Sequence, residues 1–401
     1  MPPQIKQRID QIRRGEVPEG YKKMKSDIIP EEWTLYLLSD IYTERKESGI
    51  PSLPILTVSI HSGVSDGALD DDELGKKVKR IEDKTQYRTA HSGDLVFNMM
   101  RAWQGAIGVV RSDGLVSPAY IVATPDKSAI YPPFMDYYMK TPQIVNRIHR
   151  KSYGVTDFRL RLYWDSFAMI GCAIPPLPEQ KKIAEIPSAQ DKLIALKEKL
   201  IEEKRRQKKY LMQQLLTQTC CNMTTLSKVS KITMGQSPDS SSYNDGGVGI
   251  PLLQGNADIN KRLPNPRMYT SAPTKMCYKG DILLSVRAPV GTVARSNIEA
   301  CIGRGICAIN AGKLTDYIYQ YLLFHEDKWG RISQGSTFES ISGDDIAKVE
   351  IPLYNNYKEI QTILFAADCE LDLLKRDLDQ EKQKKKALMQ LLLSGVVRMN
   401  V

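Results

Sequence analysis

The chain has 401 residues, a formal net charge of +9, 42% hydrophobic residues and 26% charged residues. This length predicts two or three domains of ordinary size, and the composition is that of a folded globular chain rather than a disordered or collagen-like one. No run approaches the roughly 18 apolar residues of a membrane span, and Met1–Arg14 lacks the apolar core of a secretory signal.

From the N-terminus, residues 1–30 read as an arm with a short helix. Ile5, Ile9 and Ile12 fall at helical spacing, and Gly15 and Pro18 stop the run. Two readings stand for this arm, a helix docked beside the C-terminal end of the chain or a frayed leader. Residues 31–173 read as a first globular module. Within it, Trp33–Ile41 (WTLYLLSDI) and Gly93–Gly108 (GDLVFNMMRAWQGAIG) are followed by SYGVTDF at Ser152–Phe158. Alternating and β-branched residues before a glycine predict strand, loop and strand over Gly93–Gly108.

Residues 174–219 form the next region. Ile174–Thr217 is free of glycine and rich in Leu, Lys, Glu, Gln and Ala, the composition of a long helix. Pro187 predicts a break, with the long run capped near Ser188. A second module occupies 220–350. Its segments echo the first: TLSKVSKI at Thr225–Ile232, GDILLSVRAPVGTVA at Gly280–Ala294 and SQGSTF at Ser333–Phe338. Residues 351–401 close the chain with a second helical region.

The two helical segments are copies. Ile174–Thr217 and Ile351–Ser394 align without a gap at an offset of 177, with 15 of 44 positions identical, where ordinary residue frequencies give about three. Shared apolar positions are Ile186/Ile363, Ile194/Leu371, Ile201/Leu378, Leu211/Leu388 and Leu215/Leu392. Lys208 and Lys385 interrupt the seven-residue seam. Each helix is too polar to stand alone, so the two are expected to pair antiparallel as an intramolecular coiled coil. The fold class is therefore α+β: two modules of mixed strands and helices, separated by two near-repeated helices. About 30 helical residues at roughly 1.5 Å each make a rod of about 45 Å, the length of about 13 base pairs.

The sequence offers little for catalysis. Gly312-Lys313 is followed by Leu314, which removes a P-loop, and no GxGxxG follows a strand. Tyr131-Pro132-Pro133-Phe134 has tyrosine where an amino-methyltransferase needs Asn or Asp, and reads as a turn. Seven cysteines without a CxxC pair fit a reduced cytosol rather than a disulfide framework, and four scattered histidines predict no metal centre. What remains suits DNA binding: basic and amide side chains in loops rich in Gly, Ser and Thr. In the first module these are Arg101, Gln104, Lys151, Tyr153, Thr156, Arg159 and Arg161. In the second they are Gln236, Asn256, Arg287, Arg304, Gln334, Ser336 and Thr337. Arginine offers a two-pronged donor to guanine or phosphate, and Gln or Asn pairs with adenine. Gly303-Arg304-Gly305 allows close backbone approach or simply a tight turn.

Two modules alternating with two repeated helices, PPLPEQKKIA opening the first helix and KKxLMQxLL closing both, resemble the specificity subunit of type I restriction-modification systems. Residues 354–357 (YNNY) depart from the LPEQ of the first copy. The resemblance implies that each module is a target recognition domain reading one half of a split, asymmetric DNA site. It implies that the helices set the spacer and dock two modification (methyltransferase) subunits, which restriction subunits join. Adenosyl-methionine, ATP and Mg would then sit on those partners, with no cofactor in this chain, no membrane and a cytoplasmic location. The competing readings are an enzyme fused to its own reader and a scaffold or decoy that binds partners without DNA.

Overall fold

A computed structural model describes residues 3–24, 27–60, 63–65, 81–154, 159–218, 221–329 and 340–399. The chain forms two compact units, Met1–Leu196 with Leu378–Val401, and Lys197–Asp377. Each long helix therefore contributes residues to both units.

In the first unit, the strand Thr34–Leu37 pairs antiparallel with Gly171–Ile174, so the two ends of the module lie side by side. Between them a four-stranded sheet runs in the order Tyr42–Arg45, Tyr120–Pro125, Leu95–Asn98, Ile107–Val109. Trp33, Leu38, Ile41, Phe97, Phe134 and Phe167 are fully buried against it. The second unit repeats this frame. Asn222–Thr225 pairs with Glu350–Leu353, and a four-stranded sheet runs Lys231–Met234, Ile306–Asn310, Ile282–Ser285, Val293–Arg295. The matched segments thus fold alike, and Gly93–Gly108 and Gly280–Ala294 are strand, loop and strand in both. What differs is hung on the frame. The second unit carries a five-stranded sheet built around Ile250–Leu253 and Ala300–Ile302; among the described residues the first has short ribbons in its place, such as Arg88–Ala90 with Gly114–Val116. The SYGVTDF and SQGSTF echo falls largely outside the described residues.

The long helices span Leu177–Leu216 and Tyr357–Leu393. The break expected at Pro187 is absent, and the first helix runs through it. Proline removes one backbone donor. Ile183 and Ala184, one turn before it, are sunk in the first unit's core and hold the helix there.

Within each unit the helix segments run antiparallel. In the first unit Lys385 pairs with Asp191, while Ile183 and Ala184 share a core with Leu392 and Leu393. In the second, Lys208 pairs with Asp368, Lys204 with Glu370 at 2.7 Å, and Lys197 with Asp377. One residue number falls as the other rises. Asp191/Asp368 and Lys208/Lys385 are equivalent positions of the two copies, so two of these pairs are the same contact made once in each unit.

Buried or half-buried positions recur at alternating intervals of four and three, the coiled-coil spacing. In the first unit they are Ile183, Pro187, Gln190 and Ile194, with Glu381, Lys385, Leu388 and Leu392. In the second they are Ile201, Lys204, Lys208, Leu211 and Leu215, with Ile360, Leu364, Ala367, Leu371 and Leu374. The seam is therefore continuous where the sequence predicts interruption. Lys208 and Lys385 occupy it by laying an aliphatic stem along the seam and sending the ammonium to a flanking aspartate. Leu378 is half-buried. Ile363 is 43% exposed, and its neighbour Leu364 takes the buried place. Ile186 packs on the first unit's globular core rather than in the seam.

The start of the first helix is fixed by two buried polar residues. The Gln180 amide donates to the carbonyls of Ala129 and Pro175 at 2.8 Å each, and its oxygen accepts from Tyr131 N–H at 2.8 Å. Tyr131-Pro132-Pro133-Phe134, expected as a turn, instead opens the helix Pro132–Tyr138, where prolines at the first positions forfeit no hydrogen bond. Glu179, 1% exposed, accepts from Trp33 Nε1 at 3.2 Å and from Arg398 Nε at 2.7 Å. The N-terminal helix Pro3–Arg13 is tethered to the same C-terminal tail, with Arg8 donating to Val396 O at 2.7 Å and Tyr21 OH to Gly395 O at 2.6 Å.

Two outcomes follow. Gln180→Ala strands the buried Pro175 carbonyl together with the half-buried Ala129 carbonyl and Tyr131 N–H, so urea denaturation should register a loss of about 2–4 kcal/mol. Asp191→Lys should lower the melting temperature, and adding Lys385→Asp should recover it, with a coupling of about 0.5–1 kcal/mol in a double-mutant cycle.

Candidate nucleic-acid interface

In the first unit, the loop between strands Leu95–Asn98 and Ile107–Val109 is a short turn closed by Gly105 at φ +100°. Ala102 is its buried anchor, which leaves Arg101 and Gln104 facing solvent. Burial raises the pKa of the half-buried Tyr120 phenol, and the nearby Arg101 charge opposes that rise. Against this turn packs the helix Pro142–Lys151, with the Trp103 and His149 rings 5.7 Å apart. The helix ends in His149-Arg150-Lys151, which places the Arg150 and Lys151 cations at the negative end of its dipole.

The chain then turns back. Tyr153 and Arg161 exchange backbone hydrogen bonds of 3.0 and 2.9 Å, and Leu162 N–H reaches Met99 O at 2.9 Å. A Cβ on Gly154 would lie 2.2 Å from Arg159 O, so only glycine permits this approach. Loop, helix end and ribbon thus bring Arg101, Gln104, Lys151, Tyr153, Arg159 and Arg161 together, all exposed. None of the four charged ones, nor Arg150, has an acidic partner among the described residues. Thr156 lies outside the described residues.

The second cluster depends on glycines. A Cβ at Gly235 would lie 2.1 Å from Gly303 O, and one at Gly305 would lie 2.3 Å from Gln254 O. Neither Gly303 nor Gly305 has positive φ, so close approach rather than turn geometry explains the Gly-Arg-Gly triplet. The resulting bonds draw three loops and the end of Ile282–Ser285 into one place. Gln236 N–H donates to Ile302 O at 2.9 Å, Gly303 N–H to Leu253 O at 2.8 Å and Val286 N–H to Gly305 O at 3.0 Å. The buried Asp258 carboxylate accepts from Gln254 N–H at 2.8 Å and from Arg267 Nε at 2.8 Å, which orders the loop that carries Asn256. Gln236, Arg287 and Arg304 are exposed and Asn256 is half-buried. Gln334, Ser336 and Thr337 lie outside the described residues.

Arg101 and Arg287 occupy equivalent loops of the two frames. Sequence reasoning missed Trp103, His149, Arg150 and Tyr163 in the first cluster and Gln254 in the second. The run of three basic residues closing a helix was the one available signal. The two arrays hold guanidinium forks, amides and aromatic faces, a chemistry suited to recognising polyanions and base edges.

The family model described as type I restriction modification DNA specificity domain matches residues 222–382. The putative type I restriction enzyme MjaX specificity subunit of Methanocaldococcus jannaschii is 30% identical over 421 residues, covering 95% of this chain and 97% of that one. A chain from a structural study of the assembly and conformational transition of the type I R-M system has TM-score 0.61 at 24% identity. It covers 92% of this chain and 99% of its own. The type I restriction-modification S subunit from M. genitalium has TM-score 0.58 at 14% identity, covering 92% and 98%. These two share the fold. No helix among the described residues is long and apolar enough to cross a membrane. A relative matched over nearly its whole length, on a frame of two modules and two repeated helices, places this chain in the family of type I restriction-modification specificity subunits, the non-catalytic DNA-recognition chains of those systems.

Proposed function

We propose that the two clusters each read one half of a bipartite, asymmetric site in double-stranded DNA. The observation that carries this is one frame built twice with different recognition loops. Arg101 and Arg287 stand at equivalent places, while the surrounding residues and inserted strands differ. Unlike loops on like frames read unlike half-sites. The paired helices set the spacer between the halves and dock two modification subunits, and restriction subunits join that assembly. The repeated Asp–Lys contact favours this reading, because it fixes one register for the helix pair and gives each unit the same helical surface. Adenosyl-methionine, ATP and Mg belong to those partners and the chain carries no cofactor; the complex works in the cytoplasm.

Methylome sequencing of cells expressing the chain with its modification subunits tests the assignment. Exchanging residues 31–172 for the module of another specificity subunit should change one half-site and leave the other intact. Removing four residues from each long helix, at equivalent positions, should shorten the helices by about 6 Å and the gap by one or two base pairs. An unchanged gap refutes the spacer role, and a change in both halves refutes independent reading.

The charged residues make a second test. Arg101→Ala and Arg287→Ala should each weaken DNA binding and reduce the salt slope by about one if the side chain touches phosphate. A loss confined to one base position would identify base readout instead.

A further inference from the structure

The first cluster holds a feature that phosphate binding does not need. Tyr153 is 58% exposed and Tyr163 36% exposed, with ring centroids 5.2 Å apart and planes inclined by 31°. Neither ring sits on a loose tip. Tyr153 is pinned by its two backbone bonds to Arg161 and by the close approach at Gly154. Tyr163 follows Leu162, which is fully buried, and its carbonyl accepts from Phe167 N–H at 2.9 Å at the start of the helix Trp164–Ala168. Folding has therefore fixed two aromatic faces in solvent, among Arg101, Lys151, Arg159 and Arg161.

Exposing such surface has a cost, and the cations narrow what can cover it. A guanidinium array around an aromatic face is the arrangement that holds a nucleotide, with charge on the phosphates and the ring on the base. In an intact duplex the base faces are hidden in the stack and only the edges show in the grooves. A fixed aromatic face in a DNA-reading cluster has a partner only where a base, or a base step, has been opened.

We propose that the Tyr153–Tyr163 pair is a stacking site for a nucleobase unstacked from the duplex in the first unit's half-site. This rests on the assignment of the cluster to DNA. The rings supply π surface to the opened base while the surrounding arginines and lysine hold its backbone. The site would thereby read how easily a step opens, in addition to base edges.

The test uses the chain assembled with its modification subunits, on duplexes carrying 2-aminopurine at successive positions of the first half-site. Wild type and Tyr153→Phe should bind alike and should raise the fluorescence at one step. Tyr153→Ala should bind roughly tenfold more weakly, the size expected for one lost base–aromatic stack, and should lose that signal. A mismatch at that step should tighten binding by wild type and leave Tyr153→Ala unaffected, because opening then costs less while the base to be stacked is still present. If Tyr153→Phe falls as far as Tyr153→Ala, the hydroxyl is the contact and stacking is wrong. If Tyr153→Ala binds and fluoresces as wild type, the proposal fails. In either case a loss in Arg101→Ala and Arg161→Ala keeps the cluster as the DNA site, whereas no change in those two overturns that assignment as well.

Discussion

Neither long helix can persist by itself, and the constraint that shapes this protein is that each finds its partner in a copy of its own sequence. Both are dominated by charged residues, and surface ion pairs contribute only a few tenths of a kcal/mol each. Stability comes from the ends, where Ile183, Ala184, Leu392 and Leu393 enter one core and Met212, Leu216, Ile360 and Leu364 enter the other. Between those anchors the ion pairs act as register marks. A slip by one turn would part Lys208 from Asp368 and Lys385 from Asp191. Because the two copies run in opposite directions, a single Asp–Lys spacing satisfies both units.

The helix starts are secured by different chemistry in the two copies. In the first, Glu179 and Gln180 are buried polar residues whose bonds are all internal. In the second, where the LPEQ pattern is lost, aromatic residues take over. Tyr354 is buried and its hydroxyl reaches Gln218 O at 3.3 Å, while Tyr317 OH donates to Pro352 O at 2.5 Å. The departure at 354–357 replaces a buried amide clasp with the buried Tyr354 phenol, and Tyr317 holds the strand just before it.

Recognition surfaces in both units rest on backbone approach. Gly154, Gly235 and Gly305 are positions where a methyl group would strike a carbonyl oxygen at 2.3 Å or less. They let separate loops converge, so that side chains far apart in sequence form one array. The frames beneath are alike; the five-stranded sheet of the second unit and the short ribbons of the first give each array its own outline.

Much of this was legible in the amino-acid sequence, because repetition is a one-dimensional property. An ungapped match of 44 residues specifies two like helices, and the echo of Gly93–Gly108 in Gly280–Ala294 specifies like frames. Seam membership was less legible. Lys208 and Lys385 looked like interruptions and Ile363 like a seam residue, because hydropathy ignores the flanking aspartates that let a lysine lie along the seam. Pro187 was misjudged for a related reason, since a propensity says nothing about the core that holds Ile183 and Ala184. The candidate interface was legible by residue type but not by membership. His149, Arg150 and Trp103 read as the end of a helix and part of a turn until packing brought them beside Arg101 and Tyr153. The sequence by itself thus determined the repeat, the element types and the antiparallel solution. Tertiary structure alone decided which side chains share a surface, because convergence of loops depends on contacts between residues far apart along the chain.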